Sequence, residues 1–218
     1  MTFSCIIPAY NEWPRIKRVL EIVLSCPLLF EVIVVNDGST DDTQEVIDSL
    51  DHPKLKKIHI KKNNGKLKAF FHALIQTKWE YIVMIDADYE GLTALHLQKL
   101  IIPIKDKQVD TTMMMWYESL FICKILKHDI FSWARVLPKS TFNDVQYFLE
   151  WKGFGLEARI NEVIYQRKMR VRSLYFPDVH NPSKGWKQLL WKQPIDIYRS
   201  MPYWKIIRQI YYIYRQQV

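Results

Sequence analysis

Apolar residues in the first half of the chain alternate between short continuous runs and helical spacing. The runs FSCIIP (3–8), EVIVV (31–35), KLKKIHI (54–60) and YIVMI (81–85) are typical of strands. Recurrence every three or four positions predicts four helices, whose apolar faces are Ile16, Val19, Leu20, Val23 and Leu24; Val46, Ile47 and Leu50; Leu67, Phe70, Phe71, Leu74 and Ile75; and Leu97, Leu100, Ile101 and Ile104. Ser39 or Thr40 is placed to cap the second helix.

This alternation predicts an α/β fold with a mostly parallel central sheet flanked by helices and right-handed crossovers. In such sheets, ligands bind beyond the carboxyl ends of the strands. Polar clusters follow all four strands at that edge: Tyr10-Asn11-Glu12, Asn36-Asp37, Asn63-Asn64-Gly65-Lys66, and Asp86 with Asp88. The pattern predicts that these side chains form one site.

The second half of the chain is less regular. The segment GFGLEARINEVIYQR (153–167) predicts a helix after its glycines, and VRSLYFP (171–177) predicts a further strand. From His180 onward the chain is rich in Trp, Tyr, Lys and Arg.

Composition narrows the class of protein. The 218 residues are 49% hydrophobic, which is enough for a sizeable core. The formal net charge of +8 attracts anions such as nucleotides, nucleic acids or acidic lipids. Cys5, Cys26 and Cys123 have no regular spacing, which argues against a disulfide framework or zinc site and favours a reducing compartment. With neither a secretory signal nor a run of ~20 apolar residues, we expect a cytoplasmic protein that at most lies on a membrane.

The carboxylates after the fourth strand predict a metal site. Residues two apart in an extended segment point the same way, so Asp86, Asp88 and Glu90 can converge. Oxygen ligands suit Mg²⁺ or Mn²⁺, which bridge to substrate phosphates and neutralise a diphosphate leaving group. The alternative is that Asp86 ends the strand and Asp88 caps the helix containing Leu92. The place of the pair in the strand array favours the metal site.

Four blocks resemble the large inverting glycosyltransferase family 2. They are IIPAYNE (6–12), VIVVNDGSTDDT (32–43), NNGKLKAF (63–70) and IDAD (85–88), in this order. The resemblance implies the GT-A nucleotide-sugar-binding fold and sugar transfer from a UDP- or GDP-linked donor with Mg²⁺ or Mn²⁺. It implies a domain over residues 1–180, with a nucleotide-sugar half (1–105) and an acceptor half (106–180). A basic aromatic helical extension (181–218) would follow.

The resemblance assigns donor binding to Pro8, Tyr10, Glu12, Asp37, Lys66, Asp86 and Ala87. Pro8, Tyr10 and Glu12 match the block that lines the base and ribose pocket. Asp37 matches the carboxylate that reads the base, since a carboxylate can accept from a ring N–H of uracil or guanine. Lys66 matches a basic residue near the donor. The alternatives are that Asp37-Gly38 forms an ordinary turn and that Tyr10 is an exposed aromatic residue with no role in binding.

The second half has a weaker resemblance to the branch that uses polyprenyl-phosphate, dolichyl-phosphate or other lipid acceptors. Ser132-Trp133-Ala134-Arg135 corresponds to a stretch SGxR, with Trp133 in place of glycine, and Arg135 would face a phosphate. GFGLE (153–157) resembles GYGFE. Glu157 would then be a general base for a hydroxyl acceptor, or an orienting group for an ionised phosphate. The alternatives are an exposed arginine on an edge strand and a first-turn helix acid.

The resemblance extends the predicted catalytic and metal-binding sets. Asp88 joins Arg135 and Glu157 as catalytic residues, because it would hold the metal. Glu90 stands where this branch has an amide that can be a metal ligand. The segment PDVHNPSKGWK (177–187) resembles the one that closes the donor site, so His180 would approach the metal or diphosphate, and Lys184 a phosphate. The predicted metal ligands are Asp86, Asp88, Glu90 and His180; His180 as a polar surface residue remains the alternative.

The extension interleaves aromatic and cationic side chains, which fits the headgroup zone of an anionic membrane. They are Trp186, Trp191, Tyr198, Tyr203, Trp204, Tyr211, Tyr212 and Tyr214, with Lys184, Lys187, Lys192, Arg199, Lys205, Arg208 and Arg215. The alternative is that these rings close the domain's own core, since Ile206, Ile207 and Ile210 fall at helical spacing. No nucleic-acid motif accompanies the charge, so we expect no nucleic-acid partner.

The resemblance, taken with the charge and the aromatic extension, implies a metal-dependent inverting glycosyltransferase that acts on a lipid-linked acceptor, a polyprenyl phosphate or glycolipid, at the cytoplasmic face of a membrane. One alternative is the same chemistry on a soluble or polysaccharide hydroxyl. Another is a non-catalytic membrane-binding protein of the same fold, against which the Asp86 and Asp88 pair argues.

Overall fold

The computed structural model of the chain describes residues 1–117, 131–149 and 155–181, with the single residues Ser119, Lys124, Lys127, Asp129 and Tyr212. Its strands are β1 (Phe3–Ala9), β2 (Glu31–Asp37), β3 (Leu55–Ile60), β4 (Tyr81–Met84), β5 (Thr111–Trp116), β6 (Arg135–Pro138) and β7 (Val171–Phe176). Its helices are α1 (Arg15–Ser25), α2 (Thr43–Ser49), α3 (Lys66–Leu74), α4 (Ala94–Lys105), α5 (Val145–Leu149) and α6 (Gly155–Gln166), with a 3₁₀ helix over Lys139–Phe142.

The strands form a seven-stranded sheet in the order β3-β2-β1-β4-β6-β5-β7. Strands β3, β2, β1 and β4 are parallel, β6 is antiparallel to both of its neighbours, and β7 is parallel to β5. The predicted α/β architecture with a mostly parallel sheet is therefore confirmed. The two predicted halves share this sheet, and the boundaries between them stay a prediction.

Strands β1, β2 and β4 are buried on both faces of the sheet, which explains their continuous apolar runs, while the edge strands β3 and β7 are partly exposed. Alternate β1 residues enter different clusters: Cys5 and Ile7 pack with α1 and α4, while Ile6 packs with α3 and α6. The predicted face of the third helix is wrong at its last position. Helix α3 ends at Leu74, and Ile75 is 71% exposed.

The predicted cap of the second helix is wrong in an informative way. Helix α2 begins only at Thr43, after Asp42. Instead of capping it, Ser39 Oγ accepts from the Asn11 N–H (3.0 Å), and the Thr40 N–H donates to Asn11 Oδ1 (2.8 Å). These bonds join the loop after β1 to the loop after β2, at the predicted ligand-binding edge.

The structure also excludes the capping alternative for Asp88. Helix α4 begins at Ala94, and its N-terminal cap is Thr93, whose side chain accepts from the His96 N–H (3.4 Å). Asp88 lies five positions earlier in the chain, before the helix.

Most of the extension, residues 182–211 and 213–218, lies outside the described residues, as do Cys123 and the start of the GFGLE segment. The predictions for Lys184 and for almost all of the extension's aromatic and cationic side chains fall there. Tyr212 is described: its ring lies 5.4 Å from that of Tyr165, partly buried against the core. This residue therefore follows the core-closing alternative. Within the described parts of the chain, no helix has the length and hydrophobicity needed to cross a bilayer.

Candidate active site

A cavity of about 280 Å³ opens at the carboxyl ends of β1, β2 and β4. It is lined by Pro8, Ala9, Tyr10, Glu12, Asp37, Asn63, Gly65, Lys66, Asp86, Ala87 and Asp88. The structure thus brings together every residue predicted to bind the donor, together with Asp88. Parallel strands make this convergence possible, because residues far apart in the chain follow strands that end at the same edge.

Three carboxylates crowd one wall of the cavity. Asp86 and Asp88 are each only 4% exposed. Burial, and then the charges of Asp88 and Asp86, raise the pKa of Glu12 above its ordinary value, although Arg15 pairs with it at 2.9 Å and opposes the shift. A bound cation would relieve this repulsion. The prediction that Asp86 and Asp88 converge because they alternate along an extended segment is wrong in its reason, since the chain turns at residues 87–88.

The carboxylates of Asp86 and Asp88 are oxygen donors of the kind that Mg²⁺ and Mn²⁺ prefer. Among residues 1–117, 131–149 and 155–181, no three Asp, Glu, His or Cys side chains are grouped to bind one ion. The remaining ligands would therefore come from outside this set, such as donor phosphates and water. The residues present fit a metal that is shared with the substrate.

The structure does not gather Glu90 and His180 with the two aspartates in the cavity wall. Their backbones pair instead, with the Glu90 N–H on His180 O at 2.9 Å and the His180 N–H on Glu90 O at 2.8 Å. Glu90 is exposed, and the His180 ring lies 5.1 Å from the Tyr117 ring. Their roles as metal ligands stay predictions.

Asp37 does more in the structure than a residue of an ordinary turn. It is 2% exposed, and its carboxylate accepts from the backbone N–H groups of Asn64 (3.0 Å) and Gly65 (2.8 Å). The next residue, Gly38, has a φ of +70°, and an added Cβ would lie 2.6 Å from the Asn63 nitrogen. This close approach lets Asp37 hold the loop that leads into α3.

Lys66 opens helix α3 at the cavity wall. Its ammonium forms an ion pair with Asp86 and lies 3.8 Å from the centroid of the Trp133 ring. The predicted donor-binding cation is thus already in contact with one of the predicted metal ligands.

Arg135 and Glu157 lie outside the cavity wall. Arg135 is fully buried, and donates to Ser132 O (2.5 Å) and Asn161 Oδ1 (2.6 Å). Burial lowers the pKa of Arg135 to about 10, against the opposing charges of Glu157 and Asp129. The alternative of an exposed arginine on an edge strand is wrong, because β6 is an inner strand.

Glu157 is 6% exposed. It lies in the first turn of α6, in agreement with the alternative that it is a first-turn helix acid. The negative charge of Glu157 raises the pKa of Arg135, which also donates a hydrogen bond to Asn161 Oδ1. The catalytic roles of both residues stay predictions.

Sequence reasoning missed Asn181. This residue is 1% exposed, and its side-chain amide donates to Asp86 Oδ2 at 3.4 Å. The backbone pairing of Glu90 with His180 delivers it there. The only available signal was its place directly after His180, in a segment that resembles one closing over the donor.

Comparison with known proteins gives the family. Residues 4–154 match the family described as Glycosyl transferase family 2. A dolichyl-phosphate beta-glucosyltransferase of Trichomonas vaginalis is 34% identical over 94 residues, 38% of this chain and 28% of that protein. A poly-beta-1,6-N-acetyl-D-glucosamine synthase of Staphylococcus epidermidis is 34% identical over 87 residues, 39% of this chain and 21% of that protein. The chain therefore spans about a quarter of the length of these relatives.

A solved structure agrees with the fold. The glucosyl-3-phosphoglycerate synthase of Mycobacterium tuberculosis, in complex with Mn²⁺, UDP and phosphoglyceric acid, superposes with a TM-score of 0.70. The match covers 96% of this chain and 78% of that one at 17% identity. With a family match over more than half of its length and a sheet of the GT-A kind, the chain belongs to glycosyl transferase family 2.

Proposed function

We propose that this protein is a metal-dependent inverting glycosyltransferase that moves a sugar from a UDP- or GDP-linked donor to a lipid-linked acceptor at the cytoplasmic face of a membrane. The observation that carries the proposal is the cavity wall. It combines Asp37, Lys66 and the buried pair Asp86 and Asp88 at the carboxyl edge of a parallel sheet. A nucleotide-diphosphate sugar needs a hydrogen-bond acceptor for its base, which Asp37 offers, and positive charge at its diphosphate, which Lys66 and a cation held by Asp86 and Asp88 would supply.

Each part of the wall has a role in the proposed mechanism. Asp37, held by Asn64 and Gly65, presents a fixed carboxylate to a base N–H. Lys66 stabilises negative charge on the diphosphate, and Asp86 and Asp88 would hold Mg²⁺ or Mn²⁺. When bound, the metal neutralises charge on the departing diphosphate.

Transfer forms one bond and breaks another at the anomeric carbon of the sugar. The acceptor oxygen attacks from the side opposite the nucleotide, the bond to the diphosphate oxygen breaks, and the configuration inverts. A hydroxyl acceptor must lose its proton, for which Glu157 is the proposed base. An acceptor phosphate is already ionised, and Glu157 would then orient it.

Two observations support a lipid-linked acceptor. One relative is named a dolichyl-phosphate beta-glucosyltransferase, and the extension mixes aromatic and cationic residues as a peripheral membrane segment does. The second candidate is a polysaccharide hydroxyl, because a relative of equal identity is named a poly-beta-1,6-N-acetyl-D-glucosamine synthase.

A panel of UDP- and GDP-sugars with Mn²⁺ tests the donor by thermal shift. A donor at a hundred times its Kd should add ~2.7 kcal/mol to the free energy of unfolding. Transfer is then assayed with a polyprenyl phosphate and, separately, with an oligosaccharide. Product only on the oligosaccharide would select the second candidate. Donor binding with neither transfer nor Mn²⁺-dependent donor hydrolysis would favour the non-catalytic alternative.

A further inference from the structure

We infer that Trp133 is a positioning residue for donor binding, because its indole face holds the ammonium of Lys66 at the cavity wall beside Asp86. The inference rests on the proposed function and deepens it. It concerns a residue that departs from the family pattern, since Trp133 stands where the resembling stretch has glycine.

The pairing of β6 with β4 places Trp133 at the site. Arg135, the first residue of β6, pairs with Met84, the last residue of β4. Because the strands are antiparallel, the residues just before Arg135 run beside the chain that leads from β4 to Asp86. A residue that lies 47 positions from Asp86 in the sequence is thereby brought alongside it.

Helix α3 meets the indole ring with one of its faces. Lys66 and Phe70 are four positions apart, so they lie on the same side of the helix. The Lys66 ammonium lies 3.8 Å from the Trp133 ring centroid, and the Phe70 ring packs edge-on against Trp133 at 5.6 Å and 84°. One indole ring therefore contacts both the Lys66 ammonium in the first turn of α3 and the Phe70 ring in the second.

The ring is fixed by what surrounds it. Trp133 is 2% exposed and belongs to the cluster that contains Phe70, Phe71 and Phe142. Its indole N–H is buried and meets no acceptor in the described part of the chain. What Trp133 offers to the site is thus its aromatic face, and a phenylalanine should replace it in this role.

The consequence for Lys66 is a loss of freedom before the donor arrives. A lysine has a flexible four-carbon stem, and the Lys66 side chain is 39% exposed, so its ion pair with Asp86 fixes the ammonium at one contact and the indole face adds a second. An ammonium within about 6 Å of an aromatic centroid is attracted to the ring face. Ordering the lysine in advance removes part of the entropic cost of binding a diphosphate.

A double-mutant cycle separates this role from simple packing. Binding of UDP and of GDP, each with Mn²⁺, is measured by titration calorimetry for the parent protein, W133F, W133L, K66M and W133L/K66M. We expect W133L to weaken nucleotide binding by about three- to ten-fold, W133F by less than about two-fold, and W133L to add nothing further in the K66M background. Phe142→Leu is the matched control. It removes a buried ring that packs 5.1 Å from the Phe70 ring, and it leaves in place the Trp133 ring over which Lys66 lies.

The outcomes are distinct. An equal loss from W133L in both backgrounds, or an equal loss from Phe142→Leu, would overturn the inference and leave Trp133 as a core residue only. If W133L does not fold, a W133F variant that loses binding as strongly as K66M would overturn it. A parent protein that binds neither nucleotide would overturn the proposed function and this inference with it.

Discussion

At the scale of single residues, Asp88 is the most direct test of the metal site. It lines the cavity, it is 4% exposed, and its charge helps to raise the pKa of Glu12. We expect Asp88→Ala to abolish Mn²⁺-dependent nucleotide binding and to lower transfer by about 100-fold or more, because the metal loses a carboxylate ligand. Thermal shift with UDP or GDP, with and without Mn²⁺, measures the first effect.

The exposed acid Glu21 on α1 supplies the control, and Glu21→Ala should behave as the parent protein does. Circular dichroism should show that both variants keep the fold. Near-normal turnover of Asp88→Ala, in buffer stripped by chelator and resupplied with Mn²⁺, would end the proposal that Asp88 holds a metal.

Asp37 gives the second test at this scale. Asp37→Ala should raise the donor KM more than it lowers saturated turnover, since base recognition is equal in the ground and transition states. It should also lower the free energy of unfolding by about 1–3 kcal/mol, because the N–H groups of Asn64 and Gly65 lose a charged acceptor. An unchanged donor KM with reduced stability would limit Asp37 to ordering the loop.

At the scale of elements, Glu31 links the start of β2 to β1, to β3 and to the chain before β4. Its carboxylate accepts from the Ser4 hydroxyl (2.7 Å) and the Lys78 N–H (3.2 Å), and it pairs with Lys56 on β3. Burial alone would raise the pKa of Glu31, but the hydrogen bonds from Lys56, Ser4 and Lys78 bring it below its ordinary value.

A carboxyl group with a lowered pKa stabilises the fold at a pH above its unfolded pKa of about 4.3, and this contribution is lost as the pH falls through the folded pKa. The free energy of unfolding of Glu31→Gln should thus lie below that of the parent at neutral pH. The difference should shrink once the pH drops below about 4. Urea titrations at several pH values measure it, and a difference that grows toward acid pH would contradict the assignment.

Gly91 tests the contact between the chain after β4 and the segment after β7. It has a φ of +75°, and an added Cβ would lie 1.9 Å from the Asp178 carbonyl oxygen. Gly65 has a φ of +90°, with nothing within 4 Å of an added Cβ. Gly65→Ala should therefore cost about 1–3 kcal/mol from backbone strain alone.

Gly91→Ala should cost about 1–3 kcal/mol more, because it must also displace the segment that carries His180 and Asn181. If urea unfolding shows that both variants lose the same free energy of unfolding, the segment after β7 moves aside without destabilising the fold, and the prediction is wrong.

At the scale of the whole molecule, the sequence was sufficient for features with a local signal. The continuous apolar runs predicted β1, β2 and β4 to within two residues, because strands buried on both faces must be apolar throughout. The polar clusters that follow these strands predicted the cavity wall, since parallel strands end at one edge.

Features that depend on non-local pairing had no such signal. Strand β6 follows β5 in the chain but lies between β4 and β5 in the sheet. The sequence of its four residues, Arg135–Pro138, does not predict that position. The contacts of Trp133 with Lys66 and of Asn181 with Asp86 follow from this three-dimensional arrangement. The spacing of these residues along the chain does not predict either contact.

The extension supplies a prediction on the same scale, although its cations lie outside the described residues. Each cation near an anionic surface contributes ~1 kcal/mol, and the attraction is screened beyond ~8 Å at physiological salt. The protein should therefore sediment with acidic vesicles at low salt, and less as salt rises. A variant with Lys187, Lys192, Lys205 and Arg208 changed to Gln should bind them more weakly, while its donor binding is unchanged. Equal partitioning of both proteins into acidic and neutral vesicles would remove this support for a lipid acceptor.

The contact of Asn181 with Asp86 joins residues 95 positions apart, and this distance has a consequence for biosynthesis. A ribosome releases the N-terminal part of a chain first, so β1 to β4 and the cavity wall emerge long before residue 181. The family match itself ends at residue 154, before β7 and the segment that carries Asn181. A nascent chain thus carries Asp86 and Asp88 outside the ribosome before β7 and Asn181 have been released. A ribosome that stalls before residue 181 therefore leaves a chain that has the family's sequence blocks but lacks the Asn181 amide that donates to Asp86.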